Sequence, residues 1–315
     1  MESPTPISPK TITVVVPATS ANLGPGFDCL GVALNLYNQF QFTLLDPGAG
    51  QTLIIQAAGD EADRVDCDAN NLVYKSFVKL CETAGLPVPP VQIDIQLGIP
   101  MARGLGSSAT AIAAGLVGAN FLLNNPLDYN SVKALAIALE GHPDNIVPAL
   151  MGGCRVSADL NGQWFEDNVP WSTKLAPVVA IPNFELSTAE ARRVLPDSYS
   201  RADATFNVAH AALLIRGIAT GSRDLISTGM QDKIHQPYRF ALIQGSDAVR
   251  QAAQEAGAYG VAISGAGPTL LALTSPEQAP AVANAMQTTW QAQGVEAIAR
   301  VLQLDLNGTR LHVSQ

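Results

Sequence analysis

The chain has 315 residues, 47% of them apolar and 14% charged, with a formal net charge of −9. That composition can bury a sizeable core and excludes a disordered chain. The acidic balance excludes the broad basic face that nucleic acid or anionic membrane requires, while leaving room for a local basic pocket. The length suits two domains or one large one.

Residues 1–10, MESPTPISPK, lack a basic segment followed by an apolar one, so they read as a short frayed leader and not a signal peptide. TITVVVPATS is short and β-branched and predicts a strand, broken next by Gly24, Pro25 and Gly26. LYNQFQFTLL and QTLIIQA alternate well enough to be strands. In NNLVYKSFVKLCETAG, Leu72, Val73, Phe77, Leu80 and Cys81 fall at helical spacing, with Gly85 as the stop. VQIDIQLGIP alternates and predicts a strand with one wet face.

PMARGLGSSATAIAAGL follows. Ser107 and Ser108 are N-cap candidates for a helix running to about Leu123. SVKALAIALEG predicts another helix, ended by Gly141 and Pro143. ADLNGQWFEDNVPWS is polar and reads as an irregular boundary between two lobes. APVVAIPN predicts a strand, and STAEARRVLP a short capped helix with Glu190 in its first turn. RADATFNVAHAALLIRGIATG and SDAVRQAAQEAGA predict helices, and YGVAISGAGPTLLALT a strand, a glycine turn and a second strand. Strands and helices mix without regular alternation, which indicates an α+β class with two lobes.

Two uncharged windows, 104–127 and 256–276, are long enough to span a bilayer. The second is interrupted by Gly257, Gly260, Gly265, Gly267 and Pro268, and the first is poor in large apolar residues, so neither reads as a membrane span. Cys29, Cys67, Cys81 and Cys154 have neither metal-ligand spacing nor neighbouring histidines, which argues against zinc and for a reducing, cytoplasmic compartment.

A strand, a glycine-rich loop and a helix start make up the plan of an anion site. Glycine permits close backbone approach, and the first helical N–H groups and the helix dipole favour negative charge. The loop is not a Walker A sequence, because no lysine follows its glycines. On residue chemistry alone, phosphate binding and a glycine-softened turn before a core helix stand level.

Three segments taken together resolve this. PMARGLGSSAT resembles the phosphate loop of the GHMP kinases, written Pro-x-x-x-Gly-Leu-Gly-Ser-Ser-Ala. PATSANLGPGFDCLGVAL resembles their first motif in its homoserine kinase version, and AISGAGPTLLAL their third, glycine-rich motif. The resemblance spans nearly the whole chain, in the family's order. It implies a two-lobed GHMP kinase fold: a ribosomal protein S5 domain 2-like N-terminal lobe over 1–165 and a ferredoxin-like C-terminal lobe over 166–315. It also implies ATP and Mg²⁺ as cofactors, L-homoserine as the small-molecule substrate, phosphorylation of its side-chain hydroxyl, and a homodimer. No nucleic-acid or membrane partner is expected.

The resemblance assigns nucleotide contacts to Pro100, Met101, Ala102, Arg103, Gly104, Leu105, Gly106, Ser107, Ser108, Ala109 and Thr110, and places Asn71 near the adenine. An asparagine ahead of a helix is equally a common cap. Ser108 and Glu140 resemble the Mg²⁺ ligands; only GHP separates Glu140 from Asp144 and Asn145, shorter than in several relatives. Arg192 and Arg239 resemble a carboxylate clamp, with Arg193 the competing neighbour. Asp28 is the expected partner of the substrate ammonium, and Asn22 its neutral neighbour. Asn145 stands where some relatives carry an aspartate base, so no side-chain base is assigned. Asn145 is expected to orient the hydroxyl and Thr188 to contact the transferring phosphoryl, while His142 reads as structural. Ser264 to Pro268 are expected to line the site's mouth. The rival readings are another GHMP kinase acting on mevalonate or a sugar, and a non-catalytic nucleotide sensor of the same fold.

Overall fold

The computed structural model describes residues 11–48 and 50–313, and the leader read at residues 1–10 lies outside them. In chain order the elements are β1 (Thr11–Ala21), β2 (Leu30–Leu44), β3 (Leu53–Ala58), a 3₁₀ turn (Ala62–Arg64), α1 (Leu72–Ala84), β4 (Val91–Gln96), α2 (Ser107–Leu122), α3 (Tyr129–Glu140), α4 (Pro143–Met151), β5 (Cys154–Leu160) and β6 (Gln163–Val169). Then come β7 (Ala176–Pro182), α5 (Thr188–Arg193), α6 (Arg201–Thr220), α7 (Arg223–Gly229), α8 (Gln236–Arg239), α9 (Ser246–Glu255), β8 (Gly260–Ile263), β9 (Leu270–Thr274), α10 (Ala279–Ala292), β10 (Ala297–Val301) and β11 (Arg310–Val313).

The first sheet runs β11-β1-β2-β4-β3, with the β5–β6 hairpin joined to the start of β2. The alternation in β1 puts Ile12, Val14 and Val16 on one face, where Phe40, Phe42 and Ile93 of the neighbouring strands join them under α1, α2 and α4. α2 has apolar or small residues around most of its circumference and packs closely on α1, because a Cβ at Gly115 would meet the Val73 carbonyl oxygen at 2.3 Å. The second sheet runs β10-β7-β9-β8, with α9 and α10 on one face. Its other face shares a core with the first sheet: Leu23, Leu30 and Val32 pack with Val179, Leu271, Leu214 and Ile226. That shared layer fixes the two sheets relative to each other and defines the cleft between them.

Three local readings change. ADLNGQWFEDNVPWS is not irregular: β5 and β6 pair from Cys154↔Val169 to Leu160↔Gln163 around Asn161-Gly162, both at positive φ. Asn-Gly is a strong two-residue hairpin signal, outweighed in the sequence reading by the surrounding polar residues. A division after residue 165 would fall inside β6. Pro143 ends α3 but also opens α4, since proline suits a first helical turn whose N–H groups lack helical partners. The N-cap of α2 is Gly106, at φ 70°, so Ser107 and Ser108 are its first helical residues and not caps. Elsewhere the local signals hold: Gly85 ends α1 in the left-handed region, and Ser187 and Glu190 form a reciprocal capping box at α5.

Candidate active site

A cavity of about 470 Å³ opens between the sheets. The loop from β4 to α2 forms one wall. Asn38 holds its entry, accepting from the N–H groups of Gly98 and Ile99 at 2.9 and 3.0 Å. Gly104 has φ 75°, and a Cβ there would lie 2.2 Å from the Ser264 carbonyl oxygen; at Gly106 it would lie 2.0 Å from Thr19 Oγ1. Only glycine fits these positions, because both the dihedral and the space exclude a side chain. Ser264 Oγ also donates to the Gly104 carbonyl oxygen at 2.6 Å. The third motif therefore braces the loop from behind as well as lining the mouth with Gly265 and Ala266.

The expected loop contacts divide into two groups. Met101, Ala102, Arg103, Gly104, Gly106, Ser107 and Ser108 line the cavity. Pro100 faces a smaller neighbouring cleft, Leu105 and Ala109 are buried in the core, and Thr110 is buried with its hydroxyl donating to the Ser107 carbonyl oxygen. The Arg103 guanidinium donates to the carbonyl oxygens of Met101, Pro182 and Asn183 and pairs with Glu61 and Glu185, so it anchors the loop to β7. Asn71 lines the cavity while capping α1: its Oδ1 accepts from Val73 N and Tyr74 N, and its Nδ2 donates to the Asp66 carbonyl oxygen. The cap and the wall are one residue.

Where α2 begins, Ser108 Oγ donates to Glu140 Oε2 at 3.0 Å. Across the short GHP connection, Glu140 still reaches the start of α2. Burial pushes the Glu140 carboxyl above its usual range, with Ser108 and His142 pulling the other way. A cation at this pair would relieve that cost. The described residues contain no group of three or more His, Cys, Asp or Glu placed to hold a metal ion. A hard cation here would thus have two protein oxygens and complete its shell with phosphate and water, which suits Mg²⁺. Beyond Glu140, His142 Nδ1 lies 3.1 Å from Asp144 Oδ1, and this carboxylate raises the imidazole's affinity for a proton against the opposing effect of burial. Asn145 Oδ1 accepts from Thr19 Oγ1 at 2.8 Å, fixing its amide beside Gly106.

Charged groups gather at the other end. Arg192, on α5, grips Asp28 through two bonds, Nη2 to Oδ1 at 2.7 Å and Nη1 to Oδ2 at 3.1 Å. Arg193 is exposed and absent from the lining, so the residue directly after Ala191 is the one that faces the cavity. Arg239, only 2% exposed, donates through Nε to the Ala191 carbonyl oxygen and through Nη1 to that of Gly265. Burial, and then Arg192, bring its pKa down to about 10, which leaves it charged at neutral pH. Asn22 Oδ1 accepts from Asp28 N at 3.0 Å and its Nδ2 donates to the Gly265 carbonyl oxygen. Thr188 also lines the cavity, at the first position of α5.

Asp144 lines the cavity as well, while the buried Thr19 and the aromatic Phe27 support its walls from outside the lining; none was singled out from sequence. Phe27 lies between the arginines, with the guanidinium carbons of Arg239 and Arg192 at 5.1 and 5.5 Å from its ring centroid. It sits inside the recognised GPGFD segment, and the signal available was an aromatic beside the only acidic residue of that turn.

Comparison with known proteins agrees with this arrangement. The model of the GHMP kinase N-terminal domain matches residues 71–153, and that of the C-terminal domain residues 214–292. Curated homoserine kinases of Microchaete diplosiphon and Trichormus variabilis are 59% and 58% identical over 95% of this chain, covering 96% and 98% of theirs. The crystal structure of a homoserine kinase from Cytophaga hutchinsonii superposes with a TM-score of 0.86 at 30% identity, covering 99% of both chains. A mevalonate kinase of L. major, at 13% identity and a TM-score of 0.69 over 93% of this chain and 95% of its own, shares the fold. The glycine loop, the two matched domain models and the relatives that cover nearly the whole chain lead to one assignment: the chain belongs to the GHMP kinases, in their homoserine kinase branch.

Proposed function

We propose that this cavity transfers the γ-phosphoryl group of ATP to the side-chain hydroxyl of L-homoserine, giving O-phospho-L-homoserine and ADP, a step toward threonine. The supporting observation is that Asp28, Arg192 and Arg239 line the same cavity as Gly104, Gly106 and Ser108. A zwitterion receptor and an anion cradle thus share one space. Homoserine needs an anion for its ammonium and a cation for its carboxylate, because charges removed from water must be paired. Here Asp28 and Arg192 satisfy each other. The substrate exchanges that pair for two others, its ammonium on Asp28 and its carboxylate on Arg192 and Arg239. A neutral sugar offers no such exchange and would leave the arginines without a counter-charge, which disfavours the sugar reading.

Phosphoryl transfer is catalysed mainly by position and charge neutralisation. The homoserine hydroxyl oxygen forms the new bond to the γ-phosphorus as the bond to the β,γ-bridging oxygen breaks, and the hydroxyl proton is released. Asn145, held by Thr19, has no group that can take that proton and instead orients the hydroxyl. The N–H groups at the start of α2, together with its dipole, hold the phosphates. Thr188 contacts the transferring group. Ser108 and Glu140 would hold Mg²⁺, which when bound neutralises charge on the phosphate oxygens. Four free thiols support a cytoplasmic location.

A coupled ADP-release assay with Mg·ATP and homoserine, mevalonate, galactose or no acceptor tests the reading. ADP release only with homoserine is expected. Release only with mevalonate or galactose overturns the substrate, and release with none favours the sensor.

A further inference from the structure

His235 is fully buried, opens α8 and touches both halves of the zwitterion receptor. Its Nε2 lies 2.8 Å from the Gly24 carbonyl oxygen, on the turn that carries Phe27 and Asp28. A carbonyl oxygen only accepts, so Nε2 carries a hydrogen. Its Nδ1 lies 3.3 Å from Arg239 Nη1. A guanidinium only donates, so Nδ1 is the acceptor and has no hydrogen. The ring is therefore the neutral Nε2–H tautomer.

The surroundings enforce this state. Asp232 is the nearest carboxylate, with Oδ2 3.7 Å from His235 Nε2, too far for a hydrogen bond. Its oxygens accept instead from the backbone N–H groups of Ile234, His235 and Gln236 and from Asn207 Nδ2. Burial and the Arg239 charge oppose a second proton on the ring, with Asp232 and Asp28 acting the other way. Phe27 stacks on the imidazole at 5.1 Å and 25°.

Building on the homoserine reading above, we infer that His235 is the positioning residue of the carboxylate end: its Nδ1 aims the Arg239 guanidinium while its Nε2–H holds the turn bearing Asp28. Of the five guanidinium hydrogens of Arg239, one on Nε and two on Nη1 point to Ala191, Gly265 and His235, and the two on Nη2 are left for substrate. The acceptor at Nδ1 decides which way that remaining pair faces. Preference for an acceptor with an α-carboxylate over the same amino alcohol without it is thus set one layer behind the arginine.

The test compares homoserine with 3-aminopropan-1-ol, which keeps the ammonium and hydroxyl and lacks the carboxylate. In His235→Asn the shorter side chain can still offer an acceptor near the Nδ1 position; in His235→Gln the amide reaches toward Gly24 and the acceptor to Arg239 is lost. His235→Gln is expected to lower kcat/KM for homoserine roughly 10- to 100-fold through KM, the range of one hydrogen bond to a charged group. The KM for ATP and the slow aminopropanol reaction should stay within about twofold, with His235→Asn restoring most of the homoserine preference. Equal losses for both acceptors in both variants, with the wild-type protein active on homoserine, overturn this inference alone. No homoserine-dependent ADP release from the wild-type protein overturns the substrate reading and this inference together. If the variants do not fold, ¹⁵N–¹H spectra of the wild-type ring decide: a proton on Nε2 and a bare Nδ1 at pH 7.5 support the proposal, and a proton on Nδ1 sinks it.

Discussion

Ser108 Oγ donates to Glu140 Oε2 across 3.0 Å, joining the first turn of α2 to the last residue of α3. Glu140→Gln keeps the size and removes the charge. If the pair holds Mg²⁺, kcat falls by about 10² to 10³, as for several kcal/mol of lost charge stabilisation. The apo protein should respond the other way. A carboxyl whose affinity for protons is raised in the fold supports stability below its unfolded value of about 4.3 and loses that support as pH rises through the folded value. At pH 7.5 the apo Glu140→Gln variant should therefore melt above the wild type, with the difference vanishing near pH 4, and should gain nothing from added Mg²⁺. A variant that melts lower at pH 7.5 shows that Glu140 has no buried-charge cost to relieve.

Gly104→Ala and Gly141→Ala both place an L residue at positive φ, 75° and 90°. At Gly141 the added Cβ meets open space, whereas at Gly104 it meets three backbone atoms of Ser264 and Gly267 within 3.0 Å. Gly141→Ala should cost about 1 kcal/mol and leave the KM for ATP alone. Gly104→Ala should cost about 2 kcal/mol or more and raise the KM for ATP, because the loop and the third motif must separate. Equal urea midpoints for the two variants would show that the loop has room to give.

The Asp28–Arg192 fork gives a prediction about binding. Arg192→Lys keeps the charge but loses the planar, two-point grip on a carboxylate. The homoserine KM should rise about tenfold or more while the KM for ATP is unchanged. Arg193→Lys, on the exposed side of the same helix, should change neither. Initial-rate kinetics on both variants separate the clamp from its neighbour.

His142 binds its proton more tightly than a free imidazole because the Asp144 carboxylate lies beside it. Its stabilising contribution is complete below the unfolded value of about 6.5 and is lost as pH rises through the folded value. As pH rises from about 6.5 through the folded value, the wild type should therefore lose more stability than Asp144→Asn does. Parallel slopes in urea melts across that window would remove the ion pair as the cause.

Much of this site could be read in the sequence because it depends on backbone rules. Gly104 and Gly106 are needed wherever a chain turns at positive φ against another backbone, and Ser187 with Glu190 is a cap at any helix start. Harder to read were relations between distant residues. Nothing local says that Arg192 finds Asp28 164 residues away, or that Arg103, in the middle of the glycine-rich loop between β4 and α2, turns to the carbonyl oxygen at the end of β7. α4 was missed because Pro143 acts both as a stop and as a start, and only the packing of Ile146 and Val147 into the first core decides between them. His235 gave no signal at all: its value lies in what Nδ1 and Nε2 face.

The strand β11 pairs with β1, Ile12 facing Val313 and Val15 facing Arg310. Among the described strands, the first to be made therefore waits for the last. At about 5–20 residues per second, the bare edge of β1 stands open for on the order of 15–60 s in each round of translation. During that interval it is a β-branched ribbon available to any neighbouring nascent chain. Shortening the message so that 310–313 are never made would render that interval permanent.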